Sequence, residues 1–118
     1  MIDLFKEFSF DAAHRLPRVP SGHKCFRLHG HTYRLVITIT GSVDPMTGMV
    51  LDFKDVNLIV KENVIDHLDH QCLNEVVGLE NPTCENIAMW IWHRLKRLPL
   101  KEVKVYETPT CGAVYRGN

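Results

Sequence analysis

A chain of 118 residues with 14 basic and 14 acidic side chains fits one domain and carries no net field to draw in nucleic acid or an anionic membrane. Its 45% apolar content is ordinary, no apolar run approaches a membrane span, and Met1-Ile2-Asp3-Leu4-Phe5-Lys6 lacks the charged-then-apolar form of an export signal, so a cytoplasmic protein is expected. In that compartment Cys25, Cys72, Cys84 and Cys111 are expected as thiols, the last three as small apolar residues without chemistry.

Residues 2 to 14 alternate in polarity and predict a first strand, with Phe8, Phe10, Ala12 and His14 on one face. Leu16 to Lys24 contains Pro17, Pro20 and Gly22 and is expected as a loop. Arg15, Arg18, His23 and Lys24 lie in and beside it. Singly they are solvated charge, but beside a metal the group could meet an anionic substrate such as a phosphate ester. Thr32 to Thr40 is β-branched and alternating, a second strand whose apolar residues Tyr33, Leu35, Ile37 and Ile39 share the parity of His29 and His31. Asp44 to Gly48 predicts a turn, and Met49-Val50-Leu51 could extend a sheet edge.

Asp52 is placed to cap a helix in which Val56, Ile59, Val60, Val64 and Leu68 keep helical spacing to about His67. Thr83 caps a second helix with the stripe Cys84, Ala88, Ile91, Leu95 and Leu98. Trp90 and Trp92 fall off that stripe, so at least one should pack elsewhere, for example on a neighbouring chain. Lys101 to Thr108 and Ala113 to Arg116 read as third and fourth strands joined by a turn. The order β-β-α-α-β-β predicts a single α+β domain over 1–118, a four-stranded antiparallel sheet with both helices on one face.

The chemistry-bearing residues centre on Cys25-Phe26-Arg27-Leu28-His29-Gly30-His31. Residues two apart on a strand face the same way, so His29 and His31 can share one ion, and His14 from the first strand makes a plausible third nitrogen of a zinc site. Three ligands suit a catalytic centre with an open position; Cys25 as a fourth would close it into a structural one, but the cysteines show no Cys-x-x-Cys pairing. The plainest alternative is three unrelated histidines. Asp69 and His70 stand just past a helix end, where an Asp can raise the basicity of a His; alone they read equally as a polar terminus. Glu107 reads as an exposed strand residue or as a buried carboxylate accepting paired N–H donors from a heterocycle. A chain this small does not easily enclose a deep cavity, which favours a site between subunits of an oligomer.

Taken together, Phe10-Asp11-Ala12-Ala13-His14, Cys25-x-x-x-His29-Gly30-His31, Leu68-Asp69-His70-x-x-Leu73-Asn74, Asn81-Pro82-Thr83-x-Glu85-Asn86-Ile87-Ala88 and Val105-Tyr106-Glu107-Thr108 resemble the 6-pyruvoyl-tetrahydropterin synthase family across nearly the whole chain. The resemblance implies the tunnelling fold, in which subunits join their sheets into a barrel, commonly as a dimer of trimers with sites between subunits. It implies His14, His29 and His31 as Zn2+ ligands and Cys25 as the catalytic cysteine. Asp69 and His70 would work with that cysteine from a neighbouring subunit. Glu107 would anchor the pterin and join the proton relay, and Thr83 and Glu85 would lie near the pterin pocket. The three residues between Cys25 and His29 match the carboxy branch, where the pyruvoyl enzymes typically have five. That branch implies conversion of 7,8-dihydroneopterin triphosphate to 6-carboxy-5,6,7,8-tetrahydropterin with release of acetaldehyde and triphosphate, on the route to 7-deazaguanine nucleosides such as queuosine. The change is an internal redox rearrangement that needs no nicotinamide, in keeping with the lack of a Gly-rich dinucleotide fingerprint. Direct contact with nucleic acid is not expected. The alternatives are formation of the pyruvoyl product by the same site, or a non-catalytic pterin- or zinc-binding protein.

Overall fold

The computed structural model describes residues 1–118. Its frame is a long antiparallel ribbon of β1 (Ile2–His14) and β2 (His29–Gly41). Alternation sends Phe10, Ala12, Tyr33, Leu35, Ile37 and Ile39 to one face, where all are buried, and leaves Ser9, Asp11, Thr32 and Arg34 exposed on the other. β4 (Leu100–Thr108) adds to β2, with Val105 opposite Leu35 and Val103 opposite Ile37. β5 (Cys111–Tyr115) returns along β4.

The class is α+β as the sequence predicts, but the sheet has five strands rather than four and is not wholly antiparallel. The added strand, β3 (Gln71–Cys72), runs parallel to β1 at Ala12 and Ala13 and makes the order β3-β1-β2-β4-β5. Two residues are too few to carry an alternation, and their pairing is set by where the preceding helix ends. Met49 to Leu51 form no strand; Asp44 N–H instead donates to the Met49 carbonyl at 2.9 Å and closes the loop on itself.

The helices cover the apolar face. Asp52 caps α1 (Phe53–Val60) by accepting the Lys54 N–H at 2.9 Å. A π turn over Lys61–Ile65 then leads into one closing turn, α2 (Asp66–Leu68). Val56, Val60, Val64 and Leu68 recur every four residues, and all are buried. Spacing of four overshoots an α-helical turn of about 3.6 residues, and the wider π turn brings the stripe back over the sheet. Within that turn the Asn63 carbonyl accepts from Arg94 Nε at 2.9 Å. Thr83 caps α3 (Cys84–Arg94) by accepting the Asn86 N–H at 3.1 Å, and α3 lies on β4 and β5 through Ile87, Ala88 and Ile91.

Both tryptophans off the α3 stripe find partners within the chain. Trp90 donates to the Val77 carbonyl at 3.0 Å, and Trp92 meets the Tyr115 ring edge-on at 5.5 Å. Cys84 is the small buried residue expected. Burial pushes its thiol up to about 11, and its Sγ donates to the Val105 carbonyl. Cys111 departs from that expectation and is exposed at the β4–β5 turn. No helix is long and apolar enough to cross a membrane.

Candidate active site and metal centre

The β1–β2 register sets His14 directly opposite His29, and Ala12 opposite His31. All three histidines therefore rise from one end of the ribbon onto the same face, with the small Ala12 leaving room between them. Glu107 reaches the same point from β4, sharing the parity of buried Val103 and Val105. The nitrogens of His14, His29 and His31 and a Glu107 oxygen all lie within 4.8 Å of one another.

The hydrogen bonds define which nitrogens face inward. His14 Nδ1 donates to the Pro82 carbonyl at 2.8 Å, with the Tyr33 hydroxyl 3.2 Å away, and His29 Nδ1 donates to the Arg27 carbonyl at 2.8 Å. A carbonyl only accepts, so the proton of each neutral ring sits on Nδ1 and each Nε2 presents a lone pair. Those two Nε2 atoms are 3.0 Å apart. His31 Nε2 is buried without a hydrogen bond, although Glu107 Oε1 stands 3.0 Å from it. Burial holds the protonation of His14 and His31 below the usual histidine range, against the opposing pull of Glu107. Inward lone pairs at such separations repel unless a cation lies among them. Three imidazoles, two of them oriented by backbone carbonyls, and a carboxylate fit a divalent ion that favours nitrogen ligands, zinc included.

Cys25 sits on a single 3₁₀ turn, Lys24–Phe26, and lines a depression of about 390 Å³ together with Lys24, His29, His31, Glu107 and Thr108. Cys25 thus shares one recess with His29 and His31, while His14 lies buried behind them. Glu107 also opens onto a second depression, of about 480 Å³, beside Tyr106, Thr108 and Pro109. Sequence reasoning singled out Glu107 for a heterocycle but not for its place among the histidines. Only the β2–β4 pairing brings it there.

Asp69 and His70 lie elsewhere. Asp69 Oδ1 accepts the Asp11 N–H at 2.9 Å, and His70 N–H donates to the Asp11 carbonyl at 2.6 Å. His70 has a φ of 61°, the left-handed region that non-glycine residues seldom enter, and the Asp11 clamp holds it there. The two side chains pair at 3.1 Å between Asp69 Oδ1 and His70 Nδ1. Asp69 is held below the usual carboxylate range chiefly by the Asp11 N–H. His70 lines a recess of about 600 Å³ with Asp11, Ala13, Thr32 and Gln71, whereas Cys25 does not border that recess. Within one chain Cys25 and His70 therefore border separate recesses, and His31 borders both. Thr83 is engaged in capping α3, Glu85 is exposed in its first turn, and neither borders these recesses.

Residues 3–118 match the family model for 6-pyruvoyl tetrahydropterin synthase. A relative from Synechocystis, a 6-carboxy-5,6,7,8-tetrahydropterin synthase, is 43% identical across 95% of this chain and 91% of its own. The human 6-pyruvoyl tetrahydrobiopterin synthase is 36% identical across 95% of this chain and 89% of its own. Among solved structures, the 6-pyruvoyl tetrahydropterin synthase of Caenorhabditis elegans superposes with a TM-score of 0.90 at 30% identity, covering 99% of this chain and 96% of that one.

Proposed function

Since the chain belongs to the 6-pyruvoyl tetrahydropterin synthase family, we propose that it converts 7,8-dihydroneopterin triphosphate and one water to 6-carboxy-5,6,7,8-tetrahydropterin, acetaldehyde and triphosphate, on a route to 7-deazaguanine nucleosides such as queuosine. The observation that carries this reading is the single recess in which Cys25 stands beside His29 and His31, two members of the cluster that buried His14 completes. The carboxy product is favoured over the pyruvoyl one by the three-residue spacing from Cys25 to His29 and by the Synechocystis relative.

His14, His29 and His31 would hold zinc, which when bound supplies Lewis-acid polarisation of the substrate's side-chain hydroxyls. Cys25 is the base that takes a side-chain proton. The Asp69–His70 pair returns and removes protons as general acid and base, Asp69 fixing the imidazole through Nδ1. Glu107 holds the pterin by accepting paired N–H groups from its amino-pyrimidine edge and assists the proton relay. Because Cys25 and His70 line separate recesses of one chain, the Asp–His pair at a given site comes from a neighbouring subunit of a homo-oligomer, a dimer of trimers. Thr83 and Glu85 border the pterin from that assembly, and the enzyme works in the cytoplasm.

Purified protein given 7,8-dihydroneopterin triphosphate without nicotinamide should yield 6-carboxy-tetrahydropterin and trapped acetaldehyde. Cys25→Ala should keep its metal and lose turnover, because the base is removed and the ligands remain. Accumulation of 6-pyruvoyl-tetrahydropterin without acetaldehyde would move the chain to the other branch.

A further inference from the structure

Cys25 rides on the turn Lys24–Phe26, whose own closure is one long bond from Arg27 N–H to the Lys24 carbonyl at 3.3 Å. A single turn does not hold itself in place, because one bond does not offset the dihedrals it fixes. The anchoring comes from outside it. Cys25 N–H donates to His23 Nδ1 at 3.0 Å, Phe26 N–H donates to the His23 carbonyl at 3.0 Å, and His23 N–H donates to the Pro20 carbonyl at 2.8 Å. From the other side, Leu16 N–H donates to the Cys25 carbonyl at 2.8 Å. The backbone one residue earlier is gripped by Asn74, which accepts the Arg15 N–H at 2.9 Å and donates to the Arg15 carbonyl at 2.9 Å. Every one of these contacts is to backbone, and His23 supplies the only side chain that bonds Cys25 itself.

We propose that His23 is a positioning residue: its Nδ1 caps the turn and fixes where the Cys25 thiol stands against the histidine cluster, with no proton transfer of its own. The proposal rests on the reading of Cys25 as the catalytic base. The chemistry of the cap makes it specific. Nδ1 is bonded to Cγ, as is the Oδ1 of asparagine, so both present an acceptor at the same distance from the backbone, in the manner of an ordinary N-cap. Glutamine places its acceptor one bond farther out, where Nε2 of histidine lies. His23 is exposed and outside the core, so its replacement leaves the fold intact.

The test compares His23→Ala, His23→Asn and His23→Gln in the metal-loaded protein. Two readouts are taken: hydrogen exchange at the Cys25 amide, and steady-state turnover of dihydroneopterin triphosphate. His23→Ala should speed Cys25 amide exchange about fivefold, the scale of a lost cap. It should lower kcat about tenfold with KM within about twofold, since misplacing a reacting group costs rate rather than binding. His23→Asn should restore both and His23→Gln neither. An asparagine variant as impaired as the alanine one would overturn the proposal, because the ring would then be needed for its chemistry. So would unchanged exchange in His23→Ala. Absence of turnover in the unsubstituted enzyme would instead overturn the functional reading, while the exchange series would still decide the cap.

Discussion

At Glu107 two demands meet in one carboxylate. It stands 3.0 Å from His31 Nε2, and it is also the group proposed to hold the pterin. Glu107→Gln separates the two. Three imidazoles suffice for a catalytic metal site, so the variant should retain about one metal per chain by elemental analysis while losing pterin affinity, because an amide turns one acceptor into a donor. Metal lost together with the carboxylate would make Glu107 a ligand instead. Asp69 offers a pH test. Its carboxyl is held below its ordinary value of 3.8, so the ionised form is the one the fold favours. Such a group stabilises fully above the unfolded value, and the contribution fades as pH falls through 3.8 and the lower folded value. Asn at this position keeps an acceptor for the Asp11 N–H but has no charge to lose. The Tm advantage of the unsubstituted chain over Asp69→Asn should therefore shrink on acidification from about pH 6 to about pH 3; a gap independent of pH would count against it. At this scale the sequence shows His14, His29, His31 and Cys25 plainly, because strand parity and short spacing are local. The Pro82 and Arg27 carbonyls that orient the rings, and the His23 cap, have no such signature.

Elements differ in how well they are written locally. The caps Asp52 and Thr83 and the alternation of β1, β2 and β4 stand in the chain and recur in the structure with boundaries moved by a few residues. β3 and the π turn were not legible. Each follows from how the end of one element meets another: β3 from the clamp of His70 to Asp11, the π turn from a stripe repeating every four residues. The β4–β5 hairpin shows how little slack such meetings leave. A side chain on Gly112 would run into the Val105 carbonyl and the Tyr106 backbone across the pair. Gly112→Ala should cost about 1–3 kcal/mol, as overpacking does. Because Glu107 is carried on β4 beside this hairpin, pterin affinity should fall along with the denaturation midpoint. A variant as stable as the parent would mean that the backbone there yields freely.

For the whole molecule, the separation of functional groups is the fact that needs explaining. The Asp–His pair is fixed to the outer edge of β1 through Asp11, and Cys25 and His29 open into a different recess from His70, with His31 bordering both. The molecule is long, 58 × 24 × 24 Å; its sheet ends at β5 on one side, and on the other β3 pairs with β1 only at Ala12 and Ala13, leaving the rest of that β1 edge without a strand partner. Uncovered edges are templates for pairing with another copy. A site assembled across such a contact needs Cys25 from one chain and His70 from the next. Complementation tests this directly. Cys25→Ala and His70→Ala chains are each expected to be inactive as pure assemblies. Unfolded together and refolded as a mixture, they should regain activity. A site is intact when its thiol comes from a His70→Ala chain and its imidazole from a Cys25→Ala chain, so random mixing in equal amounts should restore about a quarter of the sites in a closed ring. Recovery should track the appearance of assemblies containing both chains, and sedimentation should show a trimer or hexamer rather than a monomer. If both residues serve a site within one chain, every mixed assembly stays as inactive as its parents, and the shared-site reading fails with it.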